Sequence, residues 1–467
     1  MLFLNDLADK CNNFLWTYIL IALLLCLGLF FSYKTKFVQF RMIKEMFRLL
    51  GDSFSSNEDN KGISSFQAFC ISTASRVGTG NLAGIAIAIT IGGPGAIFWM
   101  WIIALIGAAS SFIESTLAQL YKEKDSNGDY IGGPAFYMKK ALNKKWMGLI
   151  FAILITVTFG LIFNSVQSNT ITSAINTAFG FNKNIIGILI TILTFIIIFG
   201  GIHRIAKISE VIVPIMAIAY ILIALLVIII NITKLPSVIA LIIKSAFGIK
   251  QVAGGTLGAA LLNGIRRGLF SNEAGMGSAP NAAATATVSH PVKQGLIQTL
   301  GVFTDTIIIC SCTAFIILLS DVDPVTSGLK GIELTQKALS SQVGSWGNYF
   351  IAICILLFSF SSIIGNYYYG ESNIEFISKK KHVLTIYRLF TVFMVFLGSK
   401  VSLDFVWTLA DIFMGLMAII NLIAIAMLCK TAFRLLKDYE DQKRSGIKEP
   451  VFTAKSMPDL SNIDAWK

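Results

Sequence analysis

Charge is scarce in this chain. Only 14% of its 467 residues are Asp, Glu, Lys or Arg, while 55% are hydrophobic; a soluble globular domain is roughly 25% charged. The shortage excludes a soluble enzyme, a disordered chain and a collagen-like protein. It leaves a polytopic helical membrane protein. Histidine is scarcer still: His203, His290 and His382 lie near Lys or Arg at the ends of apolar runs, as snorkelling edge side chains do. Cys11, Cys26, Cys70, Cys310, Cys312, Cys354 and Cys429 form no CxxC, and no His follows at zinc spacing, so neither a metal site nor a disulfide framework is expected. No HExxH or GxSxG occurs, and the loops hold no His/Cys/Asp cluster, which leaves an intramembrane enzyme without machinery. The net charge of +12 comes without a basic helix or RNA-binding motif. It reads as Lys/Arg-rich cytoplasmic loops, not nucleic-acid binding.

What the chain has is long apolar runs. A spanning helix needs about 20 apolar residues. Such runs lie at 14–33, 66–91, 96–120, 146–179, 185–200, 211–232, 269–288, 295–320, 346–369, 383–398 and 403–428, which predicts eleven spans. The first has no small-residue cleavage site and reads as an uncleaved anchor. Segment 236–263 is less regular, with an amphipathic part before a Gly/Ala-rich part. With the loop after the first span inside, Lys34, Lys36, Arg41, Lys44, Arg48, Lys122, Lys124, Lys139, Lys140, Lys144, Lys145, Lys293 and Lys379 to Lys381 fall inside, against a few such as Lys183, Lys234 and Lys330 outside. The asymmetry predicts an N-terminus outside and a C-terminus inside. The divisions are an extra N-terminal helix with a basic loop (1–50), a five-helix repeat (65–232), a second five-helix repeat (252–430) and a polar cytoplasmic tail (431–467), expected to be poorly ordered.

Two runs are interrupted in corresponding places. One contains Ser75-Arg76-Val77-Gly78-Thr79-Gly80-Asn81 and the other Ser271-Asn272-Glu273-Ala274-Gly275-Met276-Gly277-Ser278-Ala279-Pro280. Non-helical backbone at membrane depth is tolerated only where it lines a cavity or is buried in protein. Paired interrupted helices in the two halves point to a secondary transporter with inverted repeats. An unwound helix frees N–H groups for a carboxylate and C=O groups for a cation such as Na⁺. Gly78 and Gly80 allow close approach to a ligand; the other reading of such glycines is helix packing, which is preferred for Gly84, Gly92 and Gly107. Asn81 offers an oxygen to a cation or an amine. Glu273 neutralises a cation, binds a substrate amine, or pairs with Arg266, Arg267 or free N–H groups at the break. Arg76 suggests an inner-gate salt bridge. Glu114 and Asp305 read as polar contacts inside the bundle rather than proton relays, and Asp404 and Asp411 carry little information. Gln167 can bond both a carboxylate and an amine. Ser361 and Ser362 suit a hard cation or simply bond their own helix.

Several stretches resemble the alanine or glycine:cation symporter family: residues 74–95 (ASRVGTGNLAGIAIAITIGGPG), 129–138 (DYIGGPAFYM), 268–280 (GLFSNEAGMGSAP), Tyr368-Tyr369-Gly370-Glu371, and 406–422 (VWTLADIFMGLMAIINL). Together they cover nearly all of 65–430. The resemblance implies an all-α, LeuT-type fold of five-plus-five inverted repeats with one extra helix. It implies symport of a small neutral amino acid with Na⁺, or sometimes H⁺, across a prokaryotic inner membrane, with no cofactor beyond the co-transported ion. It places the substrate carboxylate at the backbone of Gly78, Thr79 and Gly80, with Asn81, Gln167, Ala274, Gly275, Met276 and Ser362 around the substrate. It places Na⁺ near the Ala74 and Val77 carbonyls with Ser361 and Ser362. One position departs. The family reads Trp where Asn366 stands, and an amide in place of an indole enlarges the pocket or adds hydrogen-bonding capacity. That predicts a larger or more polar cargo, such as glutamine or serine, besides or instead of alanine. A channel is the competing class, and it needs a ring of like groups or a continuous polar stripe.

Overall fold

The computed structural model describes residues 10–55, 62–125, 128–248 and 257–466. The chain runs through α1 (Lys10–Lys34) and α2 (Ile43–Ser55) into a broken helix, α3 (Ser65–Arg76) and α4 (Gly80–Gly92). Next come α5 (Gly95–Leu120), the short α6 (Pro134–Lys140), α7 (Lys145–Phe179), α8 (Lys183–Ile198) and α9 (Gly201–Ile230). After α10 (Leu235–Ala246) the order repeats. A second broken helix, α11 (Leu257–Asn272) and α12 (Ala279–Thr285), leads to α13 (Pro291–Leu318), a short α14 (Ile332–Val343), α15 (Trp346–Ile377), α16 (Lys381–Gly398) and α17 (Leu403–Arg444). Among the described residues eight helices are long and apolar enough to cross a membrane, and nine when α3 and α4 count as one span bent by 48°. The start of the second repeat at 252 and the Gly-rich stretch at 254 fall outside the described residues; α11 itself begins at Leu257, twelve residues before the apolar run suggests.

Small residues set how closely the helices approach, because lipid gives helices no hydrophobic reason to associate. A methyl group on Gly268 of α11 would lie 2.7 Å from Ile103 of α5, and one on Gly295 of α13 would lie 2.9 Å from the Phe112 carbonyl. So α5 is gripped by α11 on one side and α13 on another. The outward faces carry Ile188, Leu189 and Ile192 on α8 and Val211, Ile215, Ile218 and Leu222 on α9, all exposed. Such a surface suits hydrocarbon and not water. The centre is the reverse: Arg76, Glu114, Glu273 and Asp305 are buried.

The tail is ordered, contrary to its polar composition. α17 continues to Arg444, and the chain then folds back across the bundle end that carries α2 and α6. Phe452, Met457, Ile463 and Trp466 are buried, and Trp466 Nε1 donates to the Gln119 and Leu120 carbonyls at 3.1 and 3.2 Å. The polar residues between them pair with the basic ones beneath: Asp464 with Lys140 at 3.1 Å, and Glu449 with Arg48 at 2.6 Å and with Lys293. Widely spaced apolar anchors escape a composition count. His290 is a second correction. It does not snorkel; it is fully buried, its Nδ1 accepts the Val292 N–H at 3.2 Å to cap α13, and its Nε2 lies 3.0 Å from Asp438 of α17.

Candidate functional site at two broken helices

The first break is built by two residues that leave the helix, Val77 and Gly78. Val77 is extended (φ −81°, ψ 93°), and α4 opens with a π-turn over Gly80–Gly84. The freed N–H groups find side-chain oxygens. Gly78 N–H donates to Asn81 Oδ1 at 2.9 Å, and Thr79 N–H donates to Gln167 Oε1 of α7 at 2.9 Å. Thr79 Oγ1 lies 2.9 Å from Ser359 Oγ of α15, and Ser362 Oγ, one turn on, lies 3.3 Å from the Val77 carbonyl. A side chain at Gly78 would meet Ser362 and, at 2.8 Å, Gln167 Oε1. A side chain there would displace the Ser362 hydroxyl and the Gln167 amide, and Gly78, Thr79, Asn81, Gln167 and Ser362 converge on one point.

The second break spans Glu273 to Ser278, with Glu273, Gly275 and Gly277 at φ 58°, 84° and 84°. Such angles strain a non-glycine residue, and its neighbours must hold it. Glu114 of α5 does so: its two oxygens accept the Gly275 and Gly277 N–H groups, each at 3.1 Å. Asn421 of α17 donates to Glu114 at 2.7 Å and to the Gly275 carbonyl at 2.9 Å, and Tyr137 of α6 donates to Asn421. Three donors from two other elements thus meet the one Glu114 carboxyl, which ties α5 and α17 to the unwound segment.

Two further carboxylates join the breaks to each other. Glu273 accepts from Ser278 Oγ at 2.6 Å, and Ser75 Oγ lies 2.9 Å from Glu273 and 2.6 Å from Asn366 Oδ1, with one proton to share between them. Asp305, in a π-turn of α13 over Phe303–Cys310, accepts from Asn81 Nδ2 at 2.6 Å, Ser271 Oγ at 2.6 Å and Thr306 Oγ1 at 2.8 Å. Arg266 and Arg267 are not partners of Glu273; they pair instead with Asp411 of α17, Arg266 at 3.5 Å. Nor does Arg76 make a salt bridge, for its Nη1 donates to the Gln298 carbonyl at 3.2 Å. Asp411 is thus more informative than its sequence position suggests.

The other expected residues divide. Ser361 Oγ bonds the Phe358 carbonyl of its own helix at 2.8 Å and turns toward Met216, while Ser362 alone reaches the Val77 carbonyl. Ala74 is buried in α3. A side chain at Gly80 would meet Phe270 at 2.9 Å and Ser271 at 3.5 Å. The second helix therefore faces the first break with residues just ahead of its own break, whereas Ala274 N–H caps onto Asn272 and Gly275 N–H onto Glu114. Asn366, one turn beyond Ser362, lies 2.6 Å from Ser75 Oγ. Ser75, Ser271, Ser278, Ser359 and Asn421 supply contacts that their types alone did not announce, although all but Ser359 stand inside motifs that carry the resemblance. The Tyr-Tyr-Gly-Glu motif packs helices: Gly370 abuts the Tyr387 ring, and Glu371 pairs with Arg388 at 2.7 Å.

At the end of the bundle away from the tail, a stack closes over this point. Phe270 lies between Phe163 and Trp407, with ring centroids 4.6 Å away on either side, and the Arg267 guanidinium sits 4.4 Å over Trp407.

Comparison with known proteins adds four findings. Residues 1–454 match the sodium:alanine symporter family. The chain is 58% identical over 463 residues to a probable sodium/glutamine symporter, GlnT, of Bacillus subtilis, covering 99% of this chain and 96% of that one. It is 35% identical over 453 residues to the sodium/alanine symporter AgcS of Methanococcus maripaludis, covering 95% and 99%. Among solved structures, that of MhsT with L-phenylalanine superposes with a TM-score of 0.57 at 14% identity, over 81% of this chain and 99% of the other; that likeness is one of fold.

Proposed function

The chain belongs to the sodium:alanine symporter family, and on that premise we propose that it imports a neutral amino acid together with Na⁺ by alternating access. The observation that carries this reading is the convergence of Gly78, Thr79 and Gln167 at the first break. Two backbone N–H groups there already recruit amide oxygens at 2.9 Å, and a substrate carboxylate supplies oxygens of the same kind with a full charge. Gly80, Asn81 and Ser362 complete the proposed substrate site. The second helix borders it with Phe270 and Ser271 rather than with Ala274, Gly275 and Met276, since Ala274 and Gly275 lie against α5, and Asn366 closes it one turn along α15. The proposed Na⁺ position lies by the Ala74 and Val77 carbonyls with Ser362 and, after rotation of its hydroxyl, Ser361. Oxygen donors are what a hard cation takes.

The proposed topology is eleven spans in the plasma (inner) membrane of a prokaryote. α1 and α2 precede two inverted five-helix repeats (65–232 and 252–430), with the N-terminus outside and the tail (431–467) in the cytoplasm. The proposed cargo is glutamine. Asn366 supports it: its Nδ2 is buried without a hydrogen-bond partner, and an amide beside the site matches a carboxamide side chain. The sodium/glutamine name of the Bacillus subtilis relative agrees. Alanine, glycine and serine are the competing cargoes, and H⁺ the competing ion.

The test is uptake of L-glutamine into liposomes holding the purified protein, with the other three amino acids as competitors. Accumulation above equilibrium under an inward Na⁺ gradient is expected. Accumulation under a pH gradient alone would replace Na⁺ by H⁺. A transporter that concentrates alanine and ignores glutamine would end the Asn366 reading.

A further inference from the structure

Above the Phe163–Phe270–Trp407 stack, at the end of the bundle remote from the tail, lies a cavity of about 320 Å³ between α1, α4, α11 and α17. Asn13, Thr90, Asn263, Arg266, Arg267 and Asp411 line it. Its chemistry is unbalanced. Two adjacent guanidiniums share one carboxylate, with Arg266 at 9% exposure and Arg267 at 4%. Nε and Nη2 of Arg266 and Nε and Nη1 of Arg267 have no hydrogen-bond partner. Leaving buried charged donors unpaired is costly. The pair is also braced: Arg266 lies 5.3 Å over Trp16 and Arg267 4.4 Å over Trp407. Bracing fixes the planar forks, and a fixed fork suits a carboxylate better than a point charge does.

We propose that this cavity is a second amino-acid site, in which the fork of Arg266 takes the α-carboxylate of the substrate before the stack opens. Asp411, held by Arg267, offers its unpartnered Oδ1 to the substrate ammonium. Both charged ends of an amino acid thus find a partner of opposite sign, and neither partner is Na⁺. The site therefore binds in the absence of Na⁺, which separates it from the proposed site at the first break. The inference rests on the reading that amino acids enter from this end. An anionic lipid headgroup shares the anion chemistry but lacks the ammonium.

Saturation-transfer NMR on the full chain in phosphatidylcholine nanodiscs, with choline replacing Na⁺, tests it with L-glutamine as the probe. Transfer to glutamine is expected, suppressed by excess propionate. Arg266→Gln should reduce the transfer at least about tenfold, as loss of a charge-assisted hydrogen bond does. Thr90→Trp, which puts an indole into the cavity and leaves both arginines in the chain, should do the same and covers the case that the arginine variant fails to fold. No transfer to wild type, or equal transfer to all three proteins, overturns the proposal. Loss of transfer when phosphatidylglycerol is added assigns the cavity to a lipid and also overturns it. Na⁺-free binding without Na⁺-driven uptake would leave this site standing and remove the proposed function instead.

Discussion

Gln167 Oε1 accepts the Thr79 backbone N–H at 2.9 Å, so a side chain of α7 supports the unwound backbone of the first break across 88 residues of sequence. In a transport cycle the same amide must yield to, or share, an incoming carboxylate. Gln167→Ala removes the acceptor, and Gln167→Glu keeps an acceptor but adds a like charge. The alanine variant should raise KM for uptake by roughly threefold to tenfold, the worth of one net hydrogen bond. The glutamate variant should raise it further despite preserving the contact. A glutamate variant that transports better than the alanine variant would show that Gln167 only props the backbone.

Glu114 is a positioning residue for the second break. Glu114→Gln leaves one carbonyl oxygen for two N–H groups and turns an NH₂ toward one of them. The unwound segment then loses an acceptor and gains an unpaired donor, a loss of roughly 1–3 kcal/mol. A fall in Tm in detergent should accompany loss of uptake, and Glu114→Asp, which keeps both acceptor oxygens, should recover part of the Tm.

Asn366→Trp tests cargo choice. The indole fills volume beside Ser75 and removes the amide, so inhibition of alanine uptake by glutamine should weaken by tenfold or more while alanine uptake persists. Unchanged competition would mean that Asn366 does not border the cargo.

The tail should release in acid. Burial pushes the Glu45 carboxyl up, but hydrogen bonds from Arg48, Tyr439 and Lys443 outweigh it and hold the group down to about 2 from its usual 4.5. A carboxyl depressed in the folded state stabilises fully above its unfolded value and loses that contribution as pH falls toward its folded one. The Tm advantage of wild type over Glu45→Gln should therefore stand at neutral pH and shrink between about 4.5 and 2. A constant difference across that window would refute the linkage.

The breaks were legible because Gly-Thr-Gly-Asn and Glu-Ala-Gly-Met-Gly gather polar capacity within runs otherwise too apolar to tolerate it. The partners that hold the breaks were not. Glu114 looked like an isolated acid because its donors are backbone N–H groups, which a sequence shows everywhere and so nowhere. Asp411 meets Arg267 from 144 residues away, a pairing no local pattern records. Ser362 was separable from Ser361 only once the rotation of α15 was known, since helix neighbours face different ways. The tail misled for the opposite reason: few anchors over many polar residues look like disorder until the basic surface beneath them is in place.

The contacts between the two broken helices differ in kind from the contacts that join them to α7 and α15. Ser75–Glu273 and Asn81–Asp305–Ser271 end on carboxylates. Gln167–Thr79, Ser359–Thr79 and Ser362–Val77 join only amides, hydroxyls and carbonyls, and Asn366 of α15 competes with Glu273 for the one Ser75 hydroxyl proton. The two breaks thus share carboxyl groups with each other and only neutral groups with α7 and α15, and the site straddles the line between those two kinds of contact.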